Sequence, residues 1–435
     1  MHHSHIRHAV PRAVYLVEGL RTPFLKFRNR PGPARPSELG TQVMRSLLLR
    51  QPFSPDKIDE VILGCMIPGP DEANIARVVA LRAGCSVDTI ACTVQRNCAS
   101  ALQAIASSAD RIALGYSDLI ITGGTEAMSH APLLWSTEFV TWFSAFQQCK
   151  DWKKKLTLLA SLRPHLFKPV IALLKGLADP LVNLSMGQTA EELAYRFGIS
   201  RFEMDAMSVR SHQRATQAQA DILATELMTY YGYNGQIYAG DDGVRADSTV
   251  EKLGQLKPVF DKFGNITAAN SSQVSDGACA MLLASEDAVS RYGLKPLARI
   301  LDLNWGALPP EIMGLGPVHA IVPMLKRQNL SMSDIDAFEI NEAFAAQVIA
   351  CQRAVVDPTY LKGAFGSSES LGEIPDDRLN IDGGAISIGH PVGASGARLV
   401  LRLCHILRRT GGKLGVASLC IGGGQGGAIL IENLT

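Results

Sequence analysis

No uninterrupted apolar run in this 435-residue chain is long enough for a membrane span, which takes about 20 residues as a helix. The N-terminal Met-His-His-Ser-His-Ile-Arg-His has no apolar core, so no secretory signal is expected. Charge of one sign is lacking too: 42 Lys and Arg face 41 Asp and Glu, a net charge of +1. No overall field therefore favours nucleic acid as a partner. Metal-ligand spacings of the CxxC or HxxxH kind are missing, so no metal site is expected. The clustered His2, His3, His5 and His8 read as a tail rather than a metal site. The nine cysteines are an odd number without paired spacing. Free thiols in a reducing cytoplasm are the simplest expectation.

What is present is an ordinary globular balance, 47% hydrophobic and 19% charged residues, in a chain long enough for two or three domains. The sequence looks duplicated. Ser54-Pro55-Asp56-Lys57-Ile58-Asp59 leads into the apolar Val61-Ile62-Leu63, and Ser331-Met332-Ser333-Asp334-Ile335-Asp336 leads into Ala337-Phe338-Glu339-Ile340. Cys98-Ala99-Ser100-Ala101 opens a helical pattern followed by a strand at Leu119–Thr122 and by Gly123-Gly124. Gly393-Ala394-Ser395-Gly396 opens another, followed by a strand at Leu414–Leu419 and by Gly422-Gly423-Gly424. Alternating strands and helices predict an α/β fold of two similar halves, with the Cys98 and Gly393 helices equivalent.

A segment of different character, 131–274, lies between them. Lys150, Lys153, Lys154, Lys155, Arg163, Lys168 and Lys175 are set among leucines, against Asp151 alone from 150 to 175. Pro164 and Pro169 break any single long helix, so two short basic amphipathic helices are expected. They could lie on an anionic membrane, cover a substrate pocket, form a subunit contact or attract the phosphates of an anionic cosubstrate.

Cys98 would sit at a helix N-terminus, where free N–H groups favour a thiolate. A cysteine in such a run, taken alone, is more often a small buried hydrophobe. His390, in Gly389-His390-Pro391, is held in a tight turn and is a candidate base for Cys98. Cys420 ends an apolar strand and enters a glycine run that lets backbone N–H groups approach a reacting carbonyl oxygen. That run lacks the Lys-Ser/Thr of a phosphate loop. Asn341, in Asn341-Glu342-Ala343-Phe344, follows a strand and reads as a site residue, a helix N-cap, or both. Cysteines 65, 85, 92, 149, 279 and 351 have no chemical company and read as packing residues.

Cys98, Asn341-Glu342-Ala343-Phe344, Gly389-His390-Pro391 and Cys420-x-Gly422-Gly423-Gly424, in this order and spacing, resemble the thiolase family from about Val14 to Glu432. Arg21-Thr22-Pro23 and Gly123-Gly124-Thr125-Glu126-Ala127-Met128-Ser129 fit as well. The resemblance implies two βαβαβαββ halves forming a five-layered αβαβα core, residues 11–130 with 275–296 and residues 297–435, and a mainly helical loop domain at 131–274. It implies Cys98 as the acylated nucleophile, His390 as its activator and Cys420 as acid/base at the acetyl α-carbon. Asn341 would hold a water that, with His390, binds the thioester oxygen. The N–H groups of Cys98 and Gly422 would form a second oxyanion hole, Met186 would line the acyl pocket, and Ser272 would contact the pantetheine arm of coenzyme A.

The implied reaction is CoA-dependent thiolysis of a 3-ketoacyl-CoA in fatty-acid β-oxidation, or its reverse, with no metal or redox cofactor. An enzyme restricted to acetoacetyl-CoA is the nearest alternative; a ketoacyl-synthase-like condensing enzyme and a silent scaffold are more distant ones. A homodimer or homotetramer is implied. The basic insert resembles that of the thiolase subunit of trifunctional fatty-acid-oxidation complexes, which would add a hydratase/dehydrogenase partner subunit. Asn341 resembles the other thiolases, so the chain-length class stays open.

Overall fold

The computed structural model describes residues 12–233 and 235–435. The histidines at 2, 3, 5 and 8 lie outside them.

The first half is a five-stranded sheet made by β1 (Val14–Arg21), β2 (Glu60–Gly64), β3 (Ile90–Val94), β4 (Leu119–Ala127) and β5 (Ser275–Ser285). Its order is β3-β2-β4-β5-β1. Strand β2 pairs in parallel with β3 and β4, whereas β5 runs antiparallel to β4 and β1. The second half repeats this with β6 (Ala298–Ala307), β7 (Ala337–Ile340), β8 (Leu414–Ile421) and β9 (Gln425–Asn433), in the order β7-β8-β9-β6. The counterpart of β3 is reduced here to one parallel bridge, Phe338 to Leu379. Asn380, with φ +47°, turns the chain away after it.

The duplication extends to side chains. A one-turn 3₁₀ helix, Pro55–Lys57 or Met332–Asp334, precedes β2 and β7. Asp59 then accepts the N–H groups of Asp118 and Leu119 at 2.7 and 2.9 Å, and Asp336 those of Lys413 and Leu414 at 2.7 and 2.9 Å. Each aspartate thus ties one parallel strand to the start of the next.

Helices α1 (Pro36–Leu48) and α2 (Ile75–Ala83) cover the outer face of the first sheet. Between the two sheets lie α3 (Ser100–Ala113) and, from the second half, its equivalent α6 (Val392–Thr410). The outer face of the second sheet is covered by α4 (Gly316–Arg327) and α5 (Ala345–Ala354). The result is five layers, with the two sheets meeting where Tyr15 and Leu16 of β1 pair with Arg299 and Ala298 of β6. Every residue of α6 from Val392 to Leu407 is buried, as expected of a helix enclosed on all sides. Gly396 permits its approach to α3: a Cβ there would lie 2.6 Å from the Leu102 backbone nitrogen.

Enclosure of α6 forces its arginines to find partners. Arg398 pairs with Glu339 at 2.7 Å, both buried. Arg402 meets Asp221, Glu226 at 3.4 Å and Asp382 at 3.2 Å. Arg21, of the Arg-Thr-Pro motif, pairs with Glu226 and Asp241 at 2.6 and 2.7 Å. Because Asp221, Glu226 and Asp241 belong to the 131–274 segment, this network fastens it to the core. Removing one member would strand a buried charge.

Within that segment, the helices Met186–Arg196 and Arg201–Thr225 contribute buried residues such as Leu193 and Met204 to the second core. Helices Thr137–Gln148 and Trp152–Ala160 have no buried residue at all. The expected basic helices at 150–175 are Trp152–Ala160 and the five-residue Ala172–Gly176, with a 3₁₀ turn at Pro164–Phe167 between them. The helix Thr137–Gln148 was not expected from the sequence.

Candidate active site

Cys98 lies in the turn from β3 into α3, two residues before the helix. Asn97 takes φ +45°, a left-handed conformation that asparagine tolerates better than most residues. Its amide donates to the Gly422 carbonyl at 2.8 Å, which fixes the glycine loop against the cysteine turn. Ser100 accepts the Arg96 N–H and donates to the Asn97 carbonyl, closing the turn from the other side. Burial raises the Cys98 thiol above its ordinary pKa, while the N–H groups of Gly422 and of Cys98 itself point to the sulfur and oppose the rise. The resting group is therefore a thiol that needs a base.

His390 is buried, and its backbone N–H donates to the Gln273 carbonyl at 3.0 Å. Its Nδ1 lies 2.6 Å from the Ser395 hydroxyl, which itself donates to the Pro391 carbonyl. With the hydroxyl donating to Pro391 and an amide nitrogen of Asn341 facing Nε2, the arrangement fits the tautomer that carries its proton on Nδ1 and leaves Nε2 as the base. Nε2 faces the Asn341 amide nitrogen at 3.4 Å. Burial, with Arg398 adding, pushes the His390 pKa down to about 4, so the ring is neutral near pH 7.

Asn341 is not a helix N-cap: α5 begins at Ala345, with Phe344 in the capping position. The Asn341 backbone N–H instead donates to Ser418 of the neighbouring strand β8, and its buried Oδ1 has no protein partner. A buried carbonyl oxygen of this kind suits an ordered water. Cys420, next to last in β8, is fully buried. Burial raises its thiol well above the ordinary range, and the nearby Cys98 and Cys351 add to the effect.

Met186, Ser272 and His390 line one cavity, together with Met128, Leu177 and Phe260. Gly422 adjoins it, since a Cβ there would lie 3.2 Å from Met186 Sδ. Cys98 packs at the edge of an apolar cluster containing Met66, Leu173 and Val392. Met186, Ser272 and His390 thus share a cavity that Gly422 adjoins; Cys98 packs against its Met128 and Val392, Asn341 meets His390, and Cys420 lies near Cys98.

Residues 14–287 match the family model described as Thiolase, N-terminal domain, and residues 294–433 match Thiolase, C-terminal domain. The chain belongs to the thiolase family. Curated relatives include a 3-ketoacyl-CoA thiolase of Yersinia enterocolitica, 35% identical over 424 residues and covering 96% of both chains. One of Yersinia pestis is 36% identical with the same coverage. Among solved structures, the Bacillus anthracis acetyl-CoA acetyltransferase superposes with a TM-score of 0.84 at 34% identity, over 98% of this chain and 100% of that one. Human mitochondrial 3-ketoacyl-CoA thiolase in complex with CoA gives 0.83 at 34% identity, over 98% and 99%.

Several residues that hold this thiolase site together were not singled out from the sequence. Ser395 belongs to the small-residue run after His390, and nothing local reveals that its hydroxyl returns to the imidazole. Glu126, fully buried, accepts N–H groups of Met66, Ile67 and Gly393 at 2.8, 3.2 and 3.0 Å, joining the two halves beside Cys98. Burial raises its pKa against those donors. Glu342 accepts from Ser211, Asn380 and Ile386 at 2.6, 3.1 and 3.2 Å, pinning the loop that carries His390. An acid within a Gly-Thr-Glu or Asn-Glu-Ala-Phe run was the available signal. Conversely, Cys92, read as a packing residue, is exposed on β3. It stands on an uncovered edge strand, which sequence pattern cannot distinguish from a central one.

Proposed function

We propose that this protein, an acyltransferase of the thiolase family, cleaves 3-ketoacyl-CoA with coenzyme A as cosubstrate, in fatty-acid β-oxidation. The observation that carries the reading is that the Gly422 N–H points to the Cys98 sulfur, while the His390 imidazole, whose Nε2 faces Asn341, lines the cavity with the Met128 and Val392 against which Cys98 packs. Nε2 of His390 takes the Cys98 proton as the sulfur attacks the 3-keto carbon. The C2–C3 bond breaks, its electron pair passing into an acetyl-CoA enolate. His390 with a water on Asn341 stabilises that enolate oxygen, and the N–H groups of Cys98 and Gly422 stabilise oxygen on the acyl carbon. Cys420 delivers a proton to C2 and becomes a thiolate. It then takes the proton of incoming CoA, whose sulfur attacks the acyl group, and Cys98 leaves with the proton returned by His390. Neither a metal nor a redox cofactor is needed, since each step moves only protons and carbon–sulfur or carbon–carbon bonds.

Met186 and Ser272 would contact the acyl and pantetheine portions of the substrate. Leu173 and Leu177, brought to the site by the insert, extend its apolar wall and support a substrate longer than acetoacetyl-CoA. A homodimer built through β3 is supported by its open edge, where Ile90 is 53% exposed. A cytoplasmic setting is supported by nine unpaired cysteines. Among the described residues no helix is long and apolar enough to cross a membrane.

The test is CoA-dependent cleavage of acetoacetyl-CoA and of a long-chain 3-ketoacyl-CoA side by side, with Cys98→Ala as the blank. Cleavage of both, lost in the variant, is expected. Cleavage of acetoacetyl-CoA alone would make the enzyme an acetyl-CoA acetyltransferase, and no Cys98-dependent turnover would overturn the reading.

A further inference from the structure

Glu126 is a buried acid beside the nucleophile that the proposed chemistry leaves unused. It is the last residue but one of β4 and is wholly enclosed. One carboxyl oxygen accepts the N–H groups of Met66 and Gly393 at 2.8 and 3.0 Å. The other accepts the Ile67 N–H at 3.2 Å and the Cys65 thiol at 3.5 Å. All four partners are donors, so a carboxyl proton on either oxygen would point at other donors. Burial pushes the pKa up and these hydrogen bonds hold it down, which leaves the group a carboxylate. Its four partners are neutral, so the charge has no counter-ion in contact.

These bonds join the walls around Cys98. Met66 and Ile67 follow β2, and Gly393 is the second residue of α6. Met66, Ile67 and Val392 pack with Cys98 in one apolar cluster. Glycine at 393 permits the reach to α6, since a Cβ there would lie 2.7 Å from Glu126 Oε2. The N-terminus of α6 adds partial positive charge beside the same oxygen.

The carboxylate acts on the sulfur as well. Burial is the main cause of the raised Cys98 thiol, the N–H groups of Gly422 and Cys98 oppose it, and Glu126 adds to it. The other titratable groups packed around the site are neutral at pH 7. Cys420 from β8 and Cys65 after β2 are raised well above the ordinary thiol range, and His390 before α6 is pushed down to about 4. The insert presents Leu173 and Leu177. A standing thiolate at Cys98 would therefore be repelled by a formal charge. Attack on substrate relieves that repulsion: the sulfur pair enters the new carbon–sulfur bond and the proton passes to Nε2 of His390. The negative charge moves to the substrate oxygen, against the N–H groups of Cys98 and Gly422.

We propose that Glu126 is a positioning residue for thiolysis: its carboxylate clamps Met66 and Ile67 to the start of α6 around Cys98, and keeps the resting nucleophile a neutral thiol until substrate is bound. The proposal rests on the thiolase reading and adds a residue that touches neither substrate nor the reacting atoms.

The test is the pH profile of Cys98 alkylation by iodoacetamide in the free enzyme, read by mass on the Cys98 peptide, with the exposed Cys92 as internal control. In Glu126→Gln the amide nitrogen can take the side of Ile67 and Cys65, which keeps the two shorter bonds to Met66 and Gly393 and so the fold. Its Cys98 midpoint should move to lower pH while that of Cys92 stays. Glu126→Asp keeps the charge on a shorter arm and should keep the wild-type midpoint; both variants should lower kcat for thiolysis. A Glu126→Gln midpoint equal to or above the wild type would overturn the proposal and leave Glu126 a structural clamp, as would a kcat within twofold of wild type. If Glu126→Gln does not fold, the wild type decides: a Cys98 midpoint at or below the ordinary thiol value of about 8.5 overturns the proposal, and one above it, kept in Glu126→Asp, supports it. Absence of CoA-dependent turnover in the wild type would sink the thiolase reading, while a lowered Glu126→Gln midpoint would still show the carboxylate's hold on the thiol.

Discussion

Replacing Ser395 by alanine tests the tautomer on which the proposed chemistry depends. The Ser395 hydroxyl is 2.6 Å from His390 Nδ1 and donates to Pro391, so it acts as an acceptor and holds the proton on Nδ1. Without it, Nδ1–H has no partner in a buried site, and the ring can move its proton to Nε2, where it cannot act as base. Leaving one buried donor unsatisfied costs about 1–3 kcal/mol. At about 1.4 kcal/mol per decade of rate, kcat should fall by about 5- to 150-fold. KM for CoA should move little, because Ser395 lines no part of the cavity. Alkylation of Cys98 by iodoacetamide should slow with kcat, since both need the same base. Thiolysis would be followed by disappearance of the 3-ketoacyl-CoA, with enzyme concentration corrected for folded protein. A kcat within twofold of wild type would refute the tautomer argument, and a loss confined to stability would assign Ser395 a merely structural part.

Other outcomes follow from the same geometry. Cys420→Ala should lose thiolysis while Cys98 is still alkylated by iodoacetamide; normal turnover would remove Cys420 from the mechanism. Gly422→Ala should fold, since the nearest atom its Cβ meets is the flexible Met186 sulfur at 3.2 Å, and should turn over more slowly; Gly124→Ala should not fold, because its Cβ would lie 1.9 Å from the Gly393 carbonyl oxygen. Soluble, active Gly124→Ala would contradict the close contact between the halves. His212, His390 and His405 are each buried and pushed down from 6.5 to about 4. The unfolded chain therefore binds more protons between those values, so their contribution is present above about pH 6.5 and is lost as pH falls toward 4. Unfolding free energy should decline by up to ~1.4 kcal/mol per pH unit for each histidine in that window. A flat denaturant midpoint between pH 6.5 and 4.5 would refute it.

Much of this fold is local information repeated. The paired Ser-x-x-x-Ile-Asp entries at 54 and 331, the strands before Gly123 and Gly422, and the helices after Cys98 and His390 are legible because periodicity and turn residues act over a few positions. The candidate site was legible for the same reason: thiol, imidazole and amide each sit at the end of a strand or in the turn leading into a helix, where local sequence marks a turn. What the chain alone could not display is which turns meet. Only the five-layer packing places Gly422 against Asn97, returns the Ser395 hydroxyl to His390, and sets Glu126 across both halves. Those contacts span from five to 325 residues of sequence, and their energy exists only once both sheets have closed on α3 and α6. The sequence by itself determined the two α/β halves, the reactive groups and the basic insert. Tertiary structure decided the tautomer of the base, the absence of a cap at Asn341, and the exposure of the insert's aromatic face, because burial and partner choice are properties of the packed chain.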